Sequence, residues 1–393
     1  MSEFAPYQPS SPAGLPPGYP LPAPRRPRVL ATLAWVAAFA VLLGCTLLTI
    51  LVITSETGAL GLVTGSVLAV VPVFPVVAVY LWLDRYEAEP PSLLVLAFLW
   101  GAGVATFAAL VINTASVAAI QQAGGDASSG AVFVAPVVEE TMKGLAIVLI
   151  LLVRRREFDG VVDGIVYAGM AGIGFAFVEN VLYLGRTLME SGTAGTVFVF
   201  VLRCVASPFA HPLFTAATGI GLGLAVRTRN PLLKLLYPVL GWAVAVLLHG
   251  AWNYSASSGL GGFLLAYIAF QVPVFLGFVA LAVYARRREG RLIGRHLEVY
   301  CSTGWLSPSE VQMLASIPGR REARSWASRT GGGAARRAMR DFQEMASELA
   351  FLRERMIRGS APQDARTTEY AMLASMSQLR AVFLPQWAAN HPR

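Results

Sequence analysis

Over most of this chain apolar residues do not alternate with polar ones; they run together. Apolar stretches follow one another at 29–53, 60–83, 91–119, 131–153, 161–184, 195–226, 232–255 and 261–285. Each is long enough to cross a bilayer, which takes roughly 20 apolar residues as a helix. Their length and lack of a two-residue period exclude barrel strands, and only helices or closed barrels satisfy the backbone in lipid. The pattern predicts an all-α polytopic membrane protein with about eight transmembrane helices between residues 29 and 288. The preceding residues, 1–28, are rich in Pro, Ser, Gly and Tyr and predict a disordered tail. Arg25, Arg26 and Arg28 followed by an apolar run have the outline of a signal peptide. The run is too long for that and lacks a clear cleavage site, so it reads as a retained span.

Residues 289–393 change character to a small helical cytoplasmic region. Ser307-Pro308-Ser309-Glu310 has the form of a helix start, with Ser at the cap and Pro in the first turn. Gly331-Gly332-Gly333 is a break. Met339, Phe342, Met345, Leu349, Leu352 and Met356 then recur at helical spacing. A further helix is expected over about 363–382.

Composition agrees: 55% hydrophobic and only 14% charged, with a mean hydropathy of +0.58. The net charge of +8 does not point to nucleic acid, because the arginines gather at the ends of apolar runs. Arg25, Arg26, Arg28, Arg85, Arg154 to Arg156, Arg227, Arg229, Lys234 and Arg286 to Arg288 fall on one side, and Arg186 stands alone on the other. By the positive-inside rule this predicts a multi-pass cell-membrane protein with both termini cytoplasmic. Cys45, Cys204 and Cys301 offer neither a disulfide framework nor a CxxC site.

Against this background the polar residues inside the runs carry the information. Insertion into lipid costs roughly 2.5–3.5 kcal/mol for an Asp, Lys or Arg at a helix centre. Yet one run contains Glu139-Glu140-Thr141-Met142-Lys143, the next Glu179-Asn180, the next His211 and the next His249 with Asn253. Counted at about 1.5 Å per residue, all fall in the outer half or centre of the membrane. His249 and Asn253 are four residues apart and share a face, as do Glu139 and Lys143. Adjacent glutamates point about 100° apart, so only one of Glu139 and Glu140 faces a common centre directly. A carboxylate in a dry site can act as general base on water, and imidazole can assist or bind a metal. Asn and a second His can donate to an oxyanion. The set suits hydrolysis of an amide by activated water. Equally, two His and one Glu, namely His211, His249 and Glu179, would hold Zn²⁺ with a water in the fourth position. The spacing leaves both mechanisms open, and also a non-enzymatic proton relay in a transporter or assembly partner. Asp163 with Tyr167 reads as structural. Gly169, Gly172 and Gly174, and Gly219, Gly221 and Gly223, read as close helix packing.

In order along the chain, Glu139-Glu140-x-x-Lys143, Asp163-Gly164-Ile165-Val166-Tyr167, Phe175-x-x-x-Glu179-Asn180, His211 and His249-x-x-Trp252-Asn253 resemble the PrsW-type intramembrane proteases. These are relatives of the CAAX-type (CPBP) membrane proteases. The resemblance spans about residues 60–285. It implies an endopeptidase that cuts a membrane-anchored, single-span protein of the anti-sigma-factor kind near the outer face. It also implies that Glu139 or Glu140 activates water, Glu179 and His211 complete the activating or metal-binding set, and His249 and Asn253 bind the oxyanion or support a metal. Where CAAX-type relatives have FxxxH this chain has Phe175-x-x-x-Glu179, which favours the PrsW branch over a prenyl-protein substrate. Nucleic acid is not an expected partner. Oligomeric state has no signature in the sequence.

Overall fold

The computed structural model describes residues 29–86, 88–154 and 158–384. The expected N-terminal tail, and Arg155 and Arg156 of the basic loop, lie outside them. Among the described residues the secondary structure is helical, without strands. In chain order come α1 (Val29–Val70), α2 (Val73–Leu83), α3 (Pro91–Leu99), α4 (Thr106–Gln122), the short α5 (Ala127–Ser129), α6 (Ala135–Val153), α7 (Val161–Phe200), α8 (Ala210–Arg227) and α9 (Pro231–Ser257). They are followed by α10 (Gly259–Ala266), α11 (Val272–Leu297), α12 (Val299–Ser302), α13 (Pro308–Leu314), α14 (Ile317–Arg358) and α15 (Ala365–Phe383). π-helical segments join α3 to α4, α5 to α6, α7 to α8 and α10 to α11.

Among the described residues five stretches are long and apolar enough to cross a membrane: Val36–Leu83, Pro91–Gln122, Val161–Arg227, Pro231–Ser257 and Gly259–Ser302. The difference from the eight expected spans has a physical reason. Val36–Leu83 and Val161–Arg227 each cover two expected spans, and helical backbone breaks inside them at Gly58 (φ 65°) and Gly192 (φ 66°). Both glycines fall in the expected inter-span gaps. They hold left-handed backbone that a side chain would strain. The run around α6, which carries Glu139, Glu140 and Lys143, is outside the five.

The chain divides into two compact units, one formed by Val29–Asp84 with Ala88–Ala285 and one by the chain after Ala285 with the loop at Arg85 and Tyr86. In the first, α7 is the central helix. Ile165, Val166, Tyr167, Ala168 and Ala171 are wholly buried. Small residues make this possible: a Cβ on Gly164 would lie 2.0 Å from the Gly219 carbonyl oxygen, so α7 and α8 touch backbone to backbone. A Cβ on Gly172 would lie 2.7 Å from Pro212 Cα, which sets the start of α8. Asp163 accepts from the backbone N–H of Asp159 (2.7 Å) and Gly160 (2.8 Å), and Tyr167 donates to Glu89 at 2.5 Å. Both serve as anchors of α7. Phe74, Phe133 and Leu247 are about 70% exposed, as expected where lipid rather than water is the solvent.

The second unit has its own core, built on Ile293, Leu297, Leu314, Phe342 and Leu349. Ser307 caps α13 through the Glu310 N–H, and Glu310 bonds back to the Ser307 N–H at 2.8 Å. The α14 helix doubles back at Gly332 (φ 66°), which lets Arg324 reach Gln343 at 2.6 Å. Arg320 is buried here and donates to the carbonyl oxygens of Leu314 (2.7 Å) and Tyr86 (3.2 Å) and to Ser347 (2.7 Å).

Candidate active site

The polar residues of α6, α7, α8 and α9 meet in one buried cluster. At its centre is Lys143, with no exposed surface. Its Nζ is 2.6 Å from Glu140 Oε1, 3.1 Å from His211 Nδ1, 3.7 Å from Glu139 Oε2 and 4.1 Å from the centre of the Phe175 ring. Three of these partners face Lys143 because of helix geometry or close packing. Glu139 and Glu140 are one turn back on the same helix, and His211 arrives on α8 where Gly172 admits its backbone.

The two glutamates have different surroundings. Glu140 is saturated: besides Lys143 it accepts from Thr215 Oγ1 on Oε2 (2.8 Å) and from His249 Nδ1 on Oε1 (3.0 Å). Glu139 accepts from Asn113 Nδ2 on Oε1 (3.2 Å), and its buried Oε2 has no hydrogen-bond partner. That oxygen lies 3.7 Å from His249 Nε2. Since Glu140 is an acceptor, His249 carries its proton on Nδ1, and its Nε2 lone pair faces the Glu139 oxygen. Two acceptors thus share a gap that only a donor, such as water, or a cation can satisfy.

His211 is held at both nitrogens. A lysine ammonium only donates, so Nδ1 accepts and Nε2 carries the proton, which it gives to Glu179 Oε2 at 2.7 Å. The Glu179 carboxylate is held in turn by Arg203, whose Nη2 pairs with Oε2. Arg203 Nε donates to Asn180 at 2.7 Å. The π-helical segment Val201–Ala206 presents Arg203 to α7.

Glu139, Glu140, Glu179, His211 and His249 are therefore brought together, as their depths in the sequence predict. Asn253 is engaged elsewhere: its amide donates to the Ala131 carbonyl at 2.8 Å. Asn113, Thr215 and Arg203 complete the cluster without having been singled out as site residues. Thr215 is one turn after His211 on the same helix, and Asn113 is a lone amide in an apolar run, so each had a signal. Glu139, His211 and His249 each offer a ligand atom within 4.8 Å of the other two. The Glu139 Oε2 and the His249 Nε2 lone pair fit a metal ion, and His211 becomes the third ligand where Lys143 releases its Nδ1, with one position left for water. Glu179, expected as the third ligand, stands outside this triplet and orients the His211 ring.

This is the geometry of a hydrolytic centre embedded in a helical membrane protein. The comparisons with known proteins agree. Residues 89–278 match the model of the PrsW family of intramembrane metalloproteases. The chain is 33% identical over 163 residues to the Protease PrsW of Oceanobacillus iheyensis, covering 42% of this chain and 69% of that protein. It is 27% identical over 185 residues to that of Clostridioides difficile (46% and 76%), and 28% identical over 209 residues to that of Bacillus subtilis (52% and 87%). No solved structure matches. The chain belongs to the PrsW family and is an intramembrane protease, which sets aside the non-enzymatic proton relay.

Proposed function

We propose that the protein hydrolyses a peptide bond of a membrane-anchored, single-span protein, with Glu139 as the group that takes the proton of the attacking water. The observation that carries this reading is the contrast between the two glutamates: Glu140 is fully engaged, whereas Glu139 Oε2 is buried, unpartnered and 3.7 Å from the lone pair of His249. A water there donates one hydrogen to Glu139 and one to His249, which aims its oxygen lone pairs away from both. Glu140 fixes the His249 ring, and Lys143 and Glu179 fix that of His211. Glu139 then returns the proton to the leaving amine nitrogen, the usual sequence for a carboxylate base. Glu139 and His249, with His211 once Lys143 releases its Nδ1, would hold a metal ion, which when bound would supply Lewis-acid polarisation of the carbonyl and a more acidic water.

The outer-half depth of the residues favours a cut near the outer face of the cell membrane, with both termini cytoplasmic. The substrate in this reading is of the anti-sigma-factor kind, cut as a signal. The test is to map new peptide termini in membranes containing the wild type or Glu139→Gln. Termini on the outer side of single-span proteins, present with the wild type and missing with the variant, are expected. Identical termini in both would overturn the proposal.

A further inference from the structure

Amide hydrolysis builds negative charge on the carbonyl oxygen, and a donor must meet it. The two residues expected to do so are engaged elsewhere. His249 gives its only N–H to Glu140, and Asn253 is turned to the Ala131 carbonyl, to which its amide gives one N–H. A small cavity shows what stands in their place. It is lined by Asn180, Arg203, Ser207, His211 and Trp252, and it has room for about one water-sized group. It is the open side of the cluster: the Arg203 and Glu179 side chains are each 17% exposed, whereas Lys143 and Glu140 are at 0%.

Arg203 is fixed on this wall from three directions. Nε donates to Asn180 and Nη2 to Glu179, and the guanidinium lies 4.2 Å from the centre of the Tyr183 ring. Among the described residues its hydrogen bonds come from Nε and Nη2 and leave Nη1 to give. A guanidinium held rigid by two hydrogen bonds, with further N–H groups to give, is a preorganised donor for an oxyanion.

We propose that Arg203 is a catalytic residue that binds the scissile carbonyl oxygen from this cavity. The proposal rests on the reading of Glu139 as the base. In the addition step the water oxygen bonds to the carbonyl carbon, the C=O π pair moves to oxygen, and the water proton passes to Glu139. Arg203 Nη1–H donates to the resulting O⁻. In the collapse that pair re-forms C=O, the C–N bond breaks, and the proton on Glu139 goes to the departing nitrogen. No other reactant is needed. Lysine at this position would keep a charge beside Glu179 but could not hold Asn180, Glu179 and the oxyanion in one plane.

The test uses the full chain in lipid nanodiscs, with Arg203→Gln, Arg203→Lys and Glu179→Gln. Turnover is read on a single-span substrate found by the terminus mapping above. Binding is read with a phosphinic pseudo-tetrapeptide, Ala-Ala-Ψ[PO₂CH₂]-Ala-Ala, whose tetrahedral anion mimics the adduct. Removing one oxyanion donor lowers kcat by about 10²–10³. Arg203→Gln should show that loss with KM unchanged, and its affinity for the phosphinic peptide should fall in parallel. Arg203→Lys should recover little of either. Wild-type affinity for the phosphinic peptide in Arg203→Gln, or turnover restored by Arg203→Lys, would overturn the proposal. So would a loss in Glu179→Gln that matches Arg203→Gln in both readouts, since Arg203 would then act only by positioning Glu179. If Arg203→Gln does not fold, as judged by its melting curve, Arg203→Lys decides. Failure of the Glu139 reading is separate: it shows as cleavage by Glu139→Gln, while binding of the phosphinic peptide still reports on Arg203.

Discussion

Exchanging either of the adjacent glutamates for glutamine should abolish cleavage, but only one exchange should damage the fold. Glu140 accepts three hydrogen bonds, from Lys143 (2.6 Å), Thr215 (2.8 Å) and His249 (3.0 Å), and has no exposed surface. In Glu140→Gln one oxygen becomes an NH₂ that cannot accept, and the buried Lys143 ammonium keeps only Glu139 at 3.7 Å as a counter-charge. Breaking one side of a buried pair costs roughly 3–5 kcal/mol. Folded domains have only about 5–15 kcal/mol in hand. Glu140→Gln should therefore melt well below the wild type. Glu139 is different. Its Oε1 still accepts from Asn113 after the exchange, and its Oε2 had no hydrogen bond to lose, only the longer 3.7 Å approach to Lys143, which keeps Glu140 at 2.6 Å. Glu139→Gln should melt close to the wild type and yet be inactive. The assay is thermal unfolding of detergent-purified proteins followed by intrinsic fluorescence, beside cleavage of the same substrate. Equal melting of the two variants, or the reverse order, would refute the assignment of one glutamate to structure and the other to chemistry.

Gly172→Ala should lower cleavage on the order of 10²-fold, the effect of misplacing a reacting group by about 1 Å. Its new Cβ would press on Pro212 Cα at 2.7 Å and so move His211, while helix content by circular dichroism should be unchanged. Asp84, just outside the membrane-spanning stretch, has its carboxyl pushed up from 3.8 to about 8 by burial, against the pull of the Glu89 N–H and with the help of Asp163. The folded protein then keeps a proton that the unfolded chain releases, so stability falls as pH rises from about 4 to about 8 and is level above. Asp84→Asn should gain melting temperature over the wild type most at pH 9 and least at pH 4; a pH-independent difference would contradict this. Elemental analysis should find about one metal ion per wild-type chain, the complement of a site with two His and one carboxylate. His211→Ala and His249→Ala should lose it, and a chelator should lower metal content and cleavage together; cleavage by metal-free protein would leave Glu139 as sole activator of water.

Much of this architecture could be read before any coordinates, for reasons that are local. Lipid disfavours lone charges, so the carboxylates and imidazoles deep in the apolar runs pointed to a shared pocket, Asp163 apart, and α6 to α9 bring Glu139, Glu140, Glu179, His211 and His249 together. Helix breaks at Gly58 and Gly192 fell in the gaps between apolar runs because the chain needs left-handed backbone there and only glycine supplies it cheaply. Other features depend on partners that are distant in sequence. Glu139 and Glu140 differ only in what surrounds them, and the difference comes from Asn113 on α4 and from Thr215 and His249 on α8 and α9. The four-residue spacing put Asn253 on the face of His249, but the π-helical segment at the start of α6 presents the Ala131 carbonyl to its amide. Arg203 lies inside an apolar run, and nothing near it in sequence names its partner. Its pairing with Glu179 and Asn180 requires the reversal after Gly192, which brings its segment back alongside α7.

The central claim is that Glu139 activates the water that cuts a membrane-anchored protein. It is tested most directly by reconstituting purified wild type and Glu139→Gln in liposomes with one single-span substrate and following the fragments by mass spectrometry in H₂¹⁸O. The account predicts that wild type yields a new C-terminus carrying ¹⁸O, and that Glu139→Gln, folded and inserted to the same extent, yields none. The same labelled fragment from Glu139→Gln at the wild-type rate would contradict it.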